Sequence, residues 1–192
     1  VPFTIAIVSL SAKMAKADGV ASRIEGEVFA HIYKAPPDEA RRVREVYDRA
    51  KADIAGFEAY ADRIAEMMAD DPALRRDVLE GLFVIAAADG IFHSDEEAYL
   101  TSVARRFGIT DAEYRSIRAL FIVDDDDPYL ILGVSPTTDF ADIKRRHRQL
   151  VRENHPDTIA GHGVPAEFLD IADRKLATIN AAYDRIRKER GQ

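Results

Sequence analysis

The stretch "RENHPDTIAGHG", Arg152 to Gly163, closes a basic run with a histidine, a proline and an aspartate in a row, then places two glycines around a second histidine. A residue before proline is pushed away from helical angles, so His155 marks the end of the helix that precedes it. From Phe140 to Asn154 the apolar side of that helix carries Phe140, Ile143, Leu150 and Val151, with His147 between them. The opposite side carries Lys144, Arg148 and Arg152 at i, i+4 and i+8, with Arg145 beside them. Between Ile143 and Arg152 stand five Lys or Arg residues and no Asp or Glu. A second helix is predicted from about Ala166 to Lys188, its inner face made of Phe168, Ala172, Ile179, Tyr183 and Ile186. Two such helices pack antiparallel, with His155, Pro156 and Asp157 exposed at one end and a short helix in "PYLILG" lying against the pair.

Taken alone, these residues promise little chemistry. No serine or cysteine nucleophile is tied to His155, and Pro156 restricts the loop, so no active site is expected and the chain is not read as an enzyme. His155, His162 and Asp157 have spacing short enough for zinc, but a glycine-flanked loop histidine is ordinarily plain surface. A basic helix face is ordinarily a solvated one. No cofactor is called for.

The rest of the chain also reads as helix. Its 192 residues are 47% hydrophobic and 32% charged, ordinary for a globular protein and too apolar for disorder. There is no cysteine, which removes disulfides and thiolate metal sites and fits a reducing compartment. The net charge of −7 argues against general nucleic-acid binding, which needs surplus Lys and Arg. Capping boxes are expected at Ser22 with Glu25, Ser94 with Glu97, and Thr110 with Glu113, and Asp71-Pro72 reads as an N-cap followed by proline at the first helical position. Apolar stripes recur at helical spacing: Ile24, Val28, Phe29, Ile32; Leu79, Leu82, Phe83, Ala86; Tyr99, Leu100, Val103, Phe107. No alternating strand pattern is found, and "LFIV" at 120–123 reads as a buried helix end. The most apolar run, at the N-terminus, is broken by Thr4, Ser9, Ser11 and Lys13 and does not read as a membrane span.

"DDDD" at 124–127 is the clearest seam, since adjacent like charges resist burial. Residues 1–127 hold 16 basic and 25 acidic residues, a net −9, while residues 128–192 hold 11 and 9, a net +2. The expected organisation is therefore a bundle over 1–123, an acidic linker over 124–127 and a second unit over 128–192, with Asp127 capping a helix that starts at Pro128. Within the bundle, "KADGVASRIEGEVF" (16–29) echoes "AADGIFHSDEEAYL" (87–100), which suggests two similar helix–turn–helix units. The repeat offers Asp18, Glu25, Asp89 and Glu96 as four carboxylates for a hard divalent cation. Acidic residues in a helix's first turn are equally explained by the macrodipole.

The combination of pieces is far more specific than any one of them. "DPYLILGVSPTTDFADIKRRHRQLVRENHPDTI", with "INAAYDRI" beyond it, resembles the J domain of the DnaJ co-chaperone family from Asp127 to about Arg190. That resemblance implies a DnaK-class chaperone as partner and stimulation of its ATP hydrolysis. His155, Pro156 and Asp157 would meet the partner's nucleotide-binding lobe and linker, and Lys144, Arg145, Arg148 and Arg152 an acidic patch. Charges of that kind steer encounter and depend on salt. This sequence departs from the family pattern in having His147 where a tyrosine is usual and Thr158 where a lysine is usual, and in showing no fourth helix after the third. The N-terminal part resembles the TerB-like helical domain through "KADGVASRIEGEVF" and "AAADGIFHSDEEAYLTSVARRFGI". The order of the two parts looks like the DjlA-type family of bacterial DnaJ-like proteins.

The expected fold is thus all-α, a TerB-like bundle followed by a short three-helix J domain with an antiparallel hairpin. The expected function is co-chaperone, with the bundle directing the chain to a partner or client. The alternative is a divalent-metal or tellurite-stress sensor in which the J-like part is a degenerate adaptor. A homodimer through the bundle is a further expectation. So is a cytoplasmic location, on the inner membrane's cytoplasmic face where an anchor precedes Val1.

Overall fold

The computed structural model describes residues 2–17, 37–53, 56–87, 92–122, 127–162, 164 and 169–192. Among them are ten helices and no strand: α1 (Pro2–Ala17), α2 (Pro37–Ala52), α3 (Phe57–Met67), α4 (Pro72–Ala86), α5 (Ser94–Arg106), α6 (Asp111–Phe121), α7 (Pro128–Leu132), α8 (Phe140–Glu153), α9 (Pro156–Gly161) and α10 (Asp170–Glu189). The Ser22–Glu25 box, the stripe from Ile24 to Ile32, Asp124 to Asp126 and Phe168 lie outside the described residues, as does most of the first copy of the repeat.

α1 is apolar on nearly every side, and a helix of that kind belongs inside a bundle. Phe3, Ala6, Ile7, Val8, Leu10, Ala12 and Met14 are all buried, and α2 to α5 pack around them. Two of its buried polar residues find partners in place. Ser11 donates to the Ile7 carbonyl at 2.6 Å, and the buried Lys13 donates to the Asp53 carbonyl at 2.9 Å with its ammonium 4.5 Å above the Tyr60 ring. Gly81 lets α4 cross α1 closely, since a Cβ there would stand 2.8 Å from Ile7 Cδ1. Both described stripes are buried as expected: Leu79, Leu82, Phe83 and Ala86 on α4, and Tyr99, Leu100, Val103 and Phe107 at α5. No helix of the described residues is long and apolar enough to cross a membrane.

The helix starts follow the sequence signals with one shift. Asp71 caps α4 by accepting the Leu74 N–H at 2.9 Å, with Pro72 in the first turn. Thr110 and Glu113 form the reciprocal box on α6, and the bonds from Thr110 hold the Glu113 carboxyl below its ordinary value. On α5 the pair is not Ser94 and Glu97. The cap is His93, whose N–H donates to Glu96 Oε2 at 2.8 Å, while Glu97 accepts from Arg118 Nε at 2.9 Å across to α6. The helix begins one residue earlier in register because the buried Glu96 reaches back three residues, and Glu97 has a cation of its own to meet. α6 runs into the "LFIV" segment, ending at Phe121 with Ile122 buried behind it.

Asp127 starts α7 as the sequence suggests, accepting the Tyr129 N–H at 2.9 Å. Gly133 ends it at φ 65°, a left-handed turn that favours glycine, and a Cβ there would also press to 3.3 Å from Ser116 Oγ. α8 and α10 form the expected hairpin, closed over Ile131, Leu132, Ile143, Leu150, Ile179, Ala182 and Ile186. Arg190 locks its open end: the guanidinium donates to the carbonyls of Thr138 at 2.7 Å and Pro136 at 2.6 Å, and lies over the Tyr129 ring.

The apolar cores do not divide at the acidic run. Ile159, Val164 and Ala172 belong to the bundle's cluster, not to the hairpin's. These described residues of α9 and of the start of α10 therefore pack with the bundle, with His162 and Lys175 meeting Asp77 and Glu80 of α4, while the later turns of α10 serve the hairpin.

Candidate functional site

α8 presents its basic face to solvent. Lys144, Arg145, Arg148 and Arg152 are all exposed, and Arg145 pairs with Asp142 at 2.9 Å. Arg146, the fifth cation of the run, turns the other way and donates to the Leu132 carbonyl at 3.2 Å. On the inner side His147 stacks on Tyr183 with ring centroids 4.2 Å apart and an interplanar angle of 10°. Its Nε2 lies 2.8 Å from Asn180 Oδ1, an acceptor, so Nε2 carries the proton. His147 is thus held on the inner side of α8 by stacking and one hydrogen bond.

His155 is exposed, and it does not stand in an open loop. It is the N-cap of a short helix absent from the sequence reading, α9, with Pro156 in its first turn. Its Nδ1 accepts the Asp157 N–H at 3.3 Å, which leaves Nε2–H facing solvent in the neutral ring. Asp157 is almost fully exposed, its carboxylate 3.6 Å from the same Nδ1. Thr158 donates from Oγ1 to the Arg152 carbonyl at 2.9 Å and so ties α9 to the last turn of α8. The buried Asn154 donates to the Leu150 carbonyl at 2.7 Å. The turn is thus fixed by caps, with the His155 imidazole and the Asp157 carboxylate left outward.

One buried ion pair and one hydrogen-bonded pair that sequence reasoning missed lie behind it. Lys175 of α10 and Glu80 of α4 form a fully buried pair, with Arg76 Nε 3.2 Å from the other carboxylate oxygen. His162, the residue closing α9, sits with Nδ1 3.0 Å from Asp77 Oδ2 and is not plain surface. The signal for Lys175 was present: it falls on the stripe of Ala172, Ile179 and Ile186, where a lysine must find a buried partner. A cleft of about 420 Å³ opens beside these pairs, with Arg75, Glu113, Asn154 and His162 among its walls.

Burial pushes the Asp77 carboxyl up to about 6, with the nearby Glu80 charge adding to the rise and the bonded His162 and Lys175 opposing it. A carboxyl raised on folding lends its stability below its unfolded value of 3.8 and loses it as pH climbs through about 6. Ionised Asp77 therefore works against the packed state at neutral pH. Asp77→Asn is expected to stabilise the chain at pH 7.5 by on the order of 1–2 kcal/mol and to lose that advantage below about pH 4. Urea melts at pH 7.5 and 4 would show it; an equal effect at both would mean the gain does not come from the charge.

Of the four carboxylates offered for a cation, Asp18, Glu25 and Asp89 lie outside the described residues. Glu96 is buried and engaged in its helix cap. Among the described residues no three His, Asp or Glu side chains gather as a metal site, and His155 and His162 stand at opposite ends of α9.

The family described as Tellurite resistance protein TerB matches residues 4–119, and the DnaJ domain family matches residues 127–190. A protein of Photobacterium profundum named "Co-chaperone protein DjlA" is 29% identical over 211 residues, covering 93% of this chain and 74% of its own. Its namesake in Escherichia coli K12 is 30% identical, over 62% of this chain and 52% of its own length. The namesake in Pasteurella multocida reaches 47% identity over 34% of this chain and 23% of its own. No solved structure matches the chain.

Proposed function

As the chain belongs to the TerB family over residues 4–119 and joins to that domain a DnaJ domain over 127–190, in the DjlA-type arrangement, we propose that it is a co-chaperone that recruits a DnaK-class chaperone and stimulates its ATP hydrolysis. The observation that carries this reading is the outward pair at the turn. The His155 imidazole and the Asp157 carboxylate are held by caps at the end of a helix whose exposed face bears Lys144, Arg145, Arg148 and Arg152. The basic face steers and orients a partner of opposite charge. The turn then supplies contacts that favour the partner's hydrolysing state, which takes differential affinity and no chemistry in this chain. Residues 1–123, as the bundle, direct the chain to a client or a second partner. The working place is the compartment of the DnaK-class chaperone, the cytoplasm.

The test is single-turnover ATP hydrolysis by a bacterial DnaK with this chain and with His155→Gln. Stimulation is expected from the parent and is expected to be lost in the variant, whose circular dichroism should stay close to the parent's because the exposed His155 caps only the six-residue α9. Equal stimulation by both would sink the reading.

A further inference from the structure

We propose that Asp77 of the bundle is a positioning residue for the His-Pro-Asp turn, acting through His162. The proposal rests on the co-chaperone reading and names how the bundle takes part in it.

α9 has six residues, about 9 Å of helix, with His155 capping one end and His162 closing the other. A helix this short does not hold its own shape or direction in water. Its orientation comes from three anchors. Thr158 ties its first turn to the Arg152 carbonyl of α8. Ile159, 6% exposed, is set in the bundle's apolar cluster and not in the hairpin's. His162 is bonded at 3.0 Å to Asp77, which is 10% exposed and projects from α4. Two of the three anchors therefore belong to the bundle. Beyond α9 the same surface continues to hold the chain, through Ala172 in the bundle's cluster and Lys175 against Glu80. The partner-facing groups stand on the far side of this attachment, so contact with α4 orients the turn without covering it.

Asp77 is faced from its own helix by Glu80 and Arg76, and from the other elements by His162 and Lys175, with Glu113 of α6 and Glu153 of α8 on the same cleft. Among these groups it is His162 that is hydrogen-bonded to the Asp77 carboxylate, at 3.0 Å. Removing that bond frees the C-terminal end of α9 and leaves the turn anchored by Thr158 and Ile159 alone. A turn that visits its binding geometry less often binds proportionally more weakly, yet reaches the same end point once bound.

The experiment titrates the full chain into a bacterial DnaK and follows ATP hydrolysis, using the parent, Asp77→Ala, His162→Ala, Asp77→Asn and His155→Gln. Amide hydrogen exchange of residues 157–162 is recorded for each. Asp77→Ala and His162→Ala, which cut the same bond from its two sides, are expected to raise the half-maximal concentration roughly three- to tenfold with the plateau unchanged, and to speed exchange in α9 by a similar factor. Asp77→Asn keeps a group that can bond the imidazole and is expected to restore both values. Parent-like half-maximal concentration and exchange in the two alanine variants would overturn the proposal, as would a lowered plateau or an Asp77→Asn that fails to restore. If the parent gives no stimulation, or His155→Gln stimulates equally, the co-chaperone reading falls. The exchange data then decide separately whether Asp77 holds α9 in place.

Discussion

Glu80→Leu is expected to cost the chain about 3–5 kcal/mol, and adding Lys175→Met is expected to return most of it. The buried pair of Glu80 and Lys175 joins α4 to α10 with both side chains shut away from water. Taking a charge into a protein interior is expensive, and removing its partner leaves that cost uncompensated. The two single substitutions are not equivalent. Lys175→Met leaves Glu80 with Arg76, whose Nε stays 3.2 Å away and which is itself partly exposed. Glu80→Leu leaves the Lys175 ammonium with Asp77 as an acid within its electrostatic reach, already bonded to His162. Lys175→Met should therefore cost about half as much as Glu80→Leu. Urea denaturation of the parent, both single variants and the double variant would give the coupling directly. A double variant as unstable as Glu80→Leu would mean that packing, and not the stranded charge, sets the loss.

The pair also marks where sequence reading reaches its limit. Caps and stripes are local, so Asp71, Thr110, Asp127 and the faces of α4 and α5 could be read from spacing alone. The hairpin was legible too, because Ile143, Leu150, Ile179 and Ile186 repeat at helical intervals on two adjacent helices. At Ser94 the register slipped by one, since two glutamates follow in succession and only the fold decides which turns back to His93. α9 went unread because a residue before proline signals a break equally well whether a loop or a new helix comes next. The contacts behind the turn were the least legible. His162 and Asp77 are 85 residues apart, Lys175 and Glu80 are 95 apart, and periodicity says which face is buried but not what it meets. The function expected of the exposed turn rests on its motif, while its support comes from residues no motif contains.

Phe83→Ala is the other large loss expected, about 3–5 kcal/mol, and it tests a different force. Phe83 is fully buried on α4, with ring centroids 5.9 Å from Phe92, 5.6 Å from Tyr114 and 6.0 Å from Phe121. One ring thus joins the segment before α5 and both ends of α6 to the helix that carries Asp77 and Glu80. Its removal loses the transfer energy of the side chain and opens a cavity that three rigid neighbours cannot readily fill. Phe83→Leu keeps most of the volume and loses mainly the ring pairs, so its cost should be about 1–1.5 kcal/mol. No substitution of a charge elsewhere can rescue the cavity, whereas the Glu80 defect is rescued at Lys175. Melting the two variants beside the parent separates the cases. A Phe83→Ala chain within about 1 kcal/mol of the parent would mean the bundle closes around the gap, and that α4 is held chiefly by its contacts with α1.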